Sequence, residues 1–111
     1  MTRHDAVCWE PGQEWCAFTV AASIRSAGIA CDYALRGKAD KQFDRAKRDA
    51  AQDIITVRAS DCRIWRRDGE SVPSCTLDQV IAYYKWLADD TDTFDDPPDF
   101  MLGIYPRFVA P

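Results

Sequence analysis

The sequence predicts an α+β protein: an antiparallel sheet of four to six strands with two helices packed on one face, in the order β-β-β-α-β(β)-α-β. Three observations lead there. Apolar residues alternate with period two through two successive runs between residues 16 and 35, the signature of half-buried strands. Two later segments, near residues 40–53 and 77–88, change to the 3.6-residue period of amphipathic helices. The length of 111 residues, 47% of them hydrophobic and 12% aromatic, supplies one core and leaves little room for a second. Residues 1–111 therefore read as a single domain.

Taken in order, Asp5–Glu10 is a short strand ended by the Pro11-Gly12 turn. Cys16, Phe18, Val20, Ala22 and Ile24 then share one face, with Ala17, Thr19, Ala21, Ser23 and Arg25 on the other. Thr, Val and Ile in such an alternation favour a strand. Ser26-Ala27-Gly28 offers a turn, glycine being free to take positive φ. Ile29, Cys31, Tyr33 and Leu35 resume the alternation, completing a hairpin.

Over residues 40–53, Phe43, Ala46, Ala50 and Ile54 mark the buried side of a helix with Asp40 as its N-cap. Ile54–Ala59 is a β-prone run directed inward at Ile55 and Val57. Its phase shifts to Cys62 and Ile64, which requires a bulge or tight turn near Ser60-Asp61, and Asp68-Gly69 closes the strand. Thr76-Leu77-Asp78-Gln79 has the spacing of a capping box, in which hydroxyl and amide satisfy orphan N–H groups at a helix start. Behind it Leu77, Val80, Ile81, Tyr84, Leu87 and Ala88 follow helical periodicity. Phe100–Tyr105 reads as a last strand, ended by Pro106.

Several function classes are excluded or disfavoured. Charges interrupt every apolar stretch before the ~20 residues of a membrane span, and the N-terminus is not a signal peptide, so a cytoplasmic protein is expected. Five cysteines (Cys8, Cys16, Cys31, Cys62, Cys75) contain no C-x-x-C and read as reduced, mostly buried side chains. Without closely spaced Cys/His pairs no zinc site is expected, and without a glycine cluster no phosphate-cradling loop. No cofactor is predicted.

The net charge of −4 is unevenly spread. Residues 1–35 hold 2 basic and 4 acidic groups, residues 36–67 hold 10 and 5, and residues 68–111 hold 2 and 9. Within the basic region, Lys38, Lys41, Arg45 and Arg48 recur on one helix face, and Arg63, Arg66 and Arg67 can extend it into a phosphate-binding surface. The interspersed Asp40, Asp44, Asp49 and Asp53 equally suit a plain solvated face. In the acidic region, Asp89, Asp90, Asp92, Asp95, Asp96 and Asp99 crowd into eleven residues around Phe94. They follow a helix C-terminus, where acids oppose the macrodipole, so helix stability does not explain them. They lack the regular spacing and closing Glu of a calcium loop. Such a loop suits plain solubilisation, or can dock on an Arg/Lys-rich protein with Phe94 as apolar anchor.

Three resemblances accompany these readings. Trp15-Cys16-Ala17-Phe18 followed by Gly28 resembles the nucleophile segment of papain-like peptidoglycan amidases of the CHAP group, which would make Cys16 a hydrolase nucleophile. That chemistry needs an adjacent His, and His4, upstream, is the single histidine. Phe18-Thr19-Val20, the turn at Gly28 and Ala46-Lys47-Arg48-Asp49-Ala50-Ala51 resemble the hairpin–helix part of a double-stranded-RNA-binding domain over residues 14–55, with Lys47 on the retained lysine. Phe43 and Asp44 stand where that family has lysines. In size and charge the chain is similar to phage-borne inhibitors of host defence, including anti-CRISPR proteins. The expectation is a non-enzymatic acidic inhibitor or adaptor that docks on a basic protein partner through the acidic loop. The alternative is an RNA-binding module using the basic 38–67 region, with the Cys16 hydrolase third.

Overall fold

The structure is a computed structural model and describes residues 3–33 and 38–88. Its elements are β1 (His4–Trp9), α1 (Glu14–Ser26), β2 (Ala30–Asp32), α2 (Ala39–Arg48), β3 (Asp53–Val57), β4 (Cys62–Arg66), β5 (Val72–Cys75) and α3 (Leu77–Ala88). The strands form one five-stranded sheet in the order β2-β1-β3-β4-β5. β1 runs parallel to both β2 and β3, while β3–β4 and β4–β5 are antiparallel. The α+β class is as expected; among the described residues the sheet is mixed, not antiparallel, and it carries three helices, not two.

The largest correction is at residues 14–32, where a helix and a parallel strand replace the expected hairpin. Ala17, Val20, Ala21 and Ile24 are buried at i, i+3, i+4 and i+7, one side of a helix. The hydroxyls that suggested a strand are absorbed locally: Thr19 donates to the Trp15 carbonyl (3.1 Å) and Ser23 to that of Thr19 (3.1 Å). Gly28, at φ 79°, ends the helix and makes no hairpin turn. Ile29 N–H reaches the Ile24 carbonyl and Gly28 N–H that of Arg25, the paired bonds of a Schellman cap. Phe18, expected in the core, is therefore exposed. Leu35 lies outside the described residues, as do the acidic loop and the strand expected at Phe100–Tyr105.

α2 is shorter than expected, because Ala50 adopts φ 65° and its N–H and that of Ala51 bond back to the Lys47 and Ala46 carbonyls. Ile54 thus belongs to β3. The helix N-cap is Lys38, with Asp40 in the first turn. The turn before Cys62 is present, closed by Arg58 N–H on the Asp61 carbonyl. The capping box forms as read: Gln79 N–H donates to Thr76 Oγ1 (3.1 Å) and Thr76 N–H to Gln79 Oε1 (2.8 Å). β5 was not expected at all.

Helices cover both sheet faces, not one. Val7, Ile55, Val57, Cys62 and Ile64 pack with Ala17, Val20, Ala21 and Ile24 of α1 and Val80, Tyr83 and Tyr84 of α3. Ala6, Cys8 and Ile54 point the other way, toward Ala46 of α2, with Phe43 and Trp65 alongside. Among the described residues no helix is long and apolar enough to cross a membrane.

Candidate functional site

β1 and β3 are parallel neighbours whose connections leave to opposite faces: α1 follows β1 on one side and α2 precedes β3 on the other. Where connections diverge in this way, the carboxyl ends of the strands open into a crevice that neither helix fills. The last rung there is Glu10 N–H to the Val57 carbonyl (3.0 Å), and the Glu10 carboxylate accepts the Ala59 N–H (3.2 Å). Gln42, buried on α2, accepts the Trp9 N–H (3.0 Å) beyond the last β1–β2 pair.

On the α2 side the crevice is a cleft of about 210 Å³ lined by Glu10, Ala39, Asp40, Phe43, Thr56, Arg58 and Arg63. Thr56 and Arg63 are directly opposite each other on β3 and β4. Thr56 is 9% exposed, and its Oγ1 has no hydrogen-bond partner. A buried hydroxyl left unmatched costs about 1–3 kcal/mol, so this atom needs an explanation. Arg58 is held by Asp61 (2.6 and 2.7 Å) and the Pro73 carbonyl (2.9 Å). Hydrogen bonds from Ser74 and Arg58 keep the Asp61 carboxyl below its ordinary range.

A basic, aromatic surface continues from the cleft. Phe43 of α2 and Trp65 of β4 meet edge to face at 5.8 Å. Lys47 Nζ lies 5.6 Å from the Phe43 centroid and 5.4 Å from that of Trp65. Arg63 stands 5.3 Å over Phe43 and Arg67 5.1 Å over Trp65. Exposed cation–π contacts contribute roughly 0.5–1 kcal/mol each and hold the cations in place without neutralising them. Arg67 also caps α2, donating to the Ala51 (3.0 Å) and Lys47 (2.9 Å) carbonyls. On the outer side of α2, Lys41, Arg45 and Arg48 line a groove with Asp44.

Of the basic residues singled out from sequence, Lys41, Arg45 and Arg48 come together, Lys38 is exposed at the helix start, and Arg63 and Arg67 share the α2 face. Arg66 does not join them: it points to the opposite face, with Nε 3.8 Å from Asp53. Phe43, Thr56 and Trp65 were missed as site residues, whereas Lys47, picked out through the RNA-binding-domain resemblance, lies among them. The alternation Arg63, Trp65, Arg67 against Cys62, Ile64, Arg66 was the available signal. Also missed were Trp15 and Phe18, 78% and 48% exposed and stacked at 5.7 Å, which lead through Tyr33 to Trp9 on the α1 face. Asp89, Asp90, Asp92, Phe94, Asp95, Asp96 and Asp99 lie outside the described residues.

Cys16 sits in the first turn of α1, half-buried against the core. His4 begins β1, at the far end of that strand, with Nε2 3.9 Å from Asp32, so no imidazole stands beside the thiol. All five cysteines are free. Burial pushes the Cys8, Cys31 and Cys75 thiols up to about 12 and Cys62 to about 11, which leaves them poor nucleophiles.

No family model matches the chain, and no curated protein matches its sequence. Solved structures do share its fold. The apo S. aureus histidyl-tRNA synthetase aligns over 75% of this chain and 26% of its own, with a TM-score of 0.59 and 20% identity. The RNA binding domain of threonyl-tRNA synthetase from Cryptosporidium parvum Iowa II aligns over 77% of this chain and 23% of its own, with a TM-score of 0.60 and 14% identity. The chain thus spans about a quarter of the length of these structures. At such identities the likeness is one of fold.

Proposed function

We propose that the chain is an RNA-binding module that takes unpaired nucleotides at the β1/β3 crevice and grips the backbone with α2 and β4. The observation that carries this reading is the unmatched Thr56 hydroxyl, which lines with Phe43 and Arg63 a cleft continuous with a cationic surface. The cleft volume of about 210 Å³ falls below the ~300–1,000 Å³ of drug-sized sites, which suits one ring system and not an extended cofactor. Unstacked bases offer hydrogen-bonding edges to such a hydroxyl and faces to aromatic or guanidinium planes. Lys41, Arg45 and Arg48 then meet phosphates. One fold neighbour is itself described as an RNA binding domain, which supports this reading over docking on a basic protein. The module binds and is not an enzyme.

Thr56→Val tests the proposal because it removes the hydroxyl and keeps the shape. The buried oxygen has no partner to lose, so the urea midpoint stays level or rises. Affinity for a short unstructured RNA, followed by fluorescence anisotropy, falls about tenfold, the equivalent of one hydrogen bond of ~1.4 kcal/mol. Unchanged affinity would remove the cleft from the interface.

A further inference from the structure

Beneath α3, away from the crevice, two carboxylates are buried side by side. Asp5 of β1 is 0% exposed and Asp53 of β3 is 1% exposed. Asp5 is fully served: Oδ1 accepts from Arg3 Nε (3.0 Å) and the Asp53 N–H (3.3 Å), and Oδ2 from Arg3 Nη2 (3.0 Å) and the Tyr84 hydroxyl (2.7 Å). Asp53 is not. Its Oδ2 accepts from Arg3 Nη2 (3.0 Å) and, at 3.4 Å, from the Tyr83 hydroxyl, while its Oδ1 has no hydrogen bond. Arg66 Nε, at 3.8 Å, is an ion-pair neighbour beyond hydrogen-bond reach. Cys31 of β2 lies opposite Asp5 of the pair, and Arg25 of α1 reaches the Cys31 carbonyl (3.0 Å).

We propose that this pair is a proton-controlled latch: a proton taken from solvent onto Asp53 relieves the cost of burying two like charges beneath Tyr83 and Tyr84, and so favours the seating of α3 on the sheet. Two like charges in one dry site disfavour double ionisation, and the carboxylate with a bare oxygen is the one that gains by protonation. In keeping with this geometry, burial foremost and then Asp5 push the Asp53 carboxyl up to about 6 from 3.8. Because the folded value lies above the unfolded one, the stabilisation is complete below about pH 4 and lost as pH rises to about 6, the folding constant falling by up to about tenfold per unit between.

Asp53→Asn mimics the protonated acid. At pH 7.5 the variant withstands more urea than the parent, and the parent's loss of stability between pH 4.5 and 7 is reduced by about that step. Amide exchange in α3, corrected for intrinsic rates, is slower at pH 5 than at pH 7.5 in the parent and pH-independent in the variant. The Asp53 carboxyl carbon of the parent, followed by NMR, titrates near 6 and decides the matter even where the variant does not fold. Titration of Asp53 at or below its ordinary value, or a folded Asn variant weaker than the parent at pH 7.5, would overturn the latch.

Discussion

Replacing Lys41, Arg45 and Arg48 together with Ala lowers affinity for single-stranded RNA about a hundredfold at 0.1 M salt and leaves the melting temperature nearly unchanged. All three are exposed on the outer side of α2, and their side chains line the groove there. Surface substitutions away from caps and buried pairs shift stability by no more than about 0.5 kcal/mol. Each phosphate contact contributes roughly 0.7 to the slope of log affinity against log salt for a single strand, so losing three flattens the slope by about 2. Asp44 in the same groove supplies a control of opposite sign. Its replacement by Asn tightens binding, because a carboxylate facing the phosphates is removed. Titrations at several salt concentrations check both outcomes; an unchanged slope would exclude α2 from the interface.

Val20→Asp unfolds the protein. Val20 is 0% exposed on α1, in the core that α1 shares with α3 and the sheet. The substitution forfeits roughly 1.5–3 kcal/mol of apolar burial and places a carboxylate in that core. The combined loss exceeds about 4 kcal/mol, against a total of about 5–15 kcal/mol for a domain. Circular dichroism should show lost helix content at 25 °C. The same change at Ala22, exposed on the outer side of α1, is tolerated. That contrast separates the helix from the strand first read there, since the strand placed Val20 and Ala22 on one face.

The elements legible from sequence are those whose pattern is local. The α3 capping box, the Arg58–Asp61 turn and the inward Ile55 and Val57 each depend on neighbours a few residues away. The α1 segment was ambiguous because alanine satisfies either period: Val20 and Ile24 fit both, and Ala17 and Ala21 decide it. A better signal lay in β1. Ala6, Val7 and Cys8 are a continuous apolar run, all 0% exposed, as a parallel strand covered on both faces requires. β5 carries only Val72 and Cys75 inward, and its Pro73 marks an edge strand. At the site, the cationic residues were visible as composition. The cleft was not, because Thr56 meets Arg63 only through the β3–β4 register, and Phe43 arrives from a helix on the other side of a crossover.

The most direct test of the RNA-binding reading is an NMR titration of the ¹⁵N-labelled protein with a short unstructured RNA. The predicted result is saturable shift changes at Phe43, Thr56, Arg63 and the Lys41–Arg48 side of α2, weakening as salt rises. Binding confined to the α1/α3 face, or no shift changes at low salt, would contradict it.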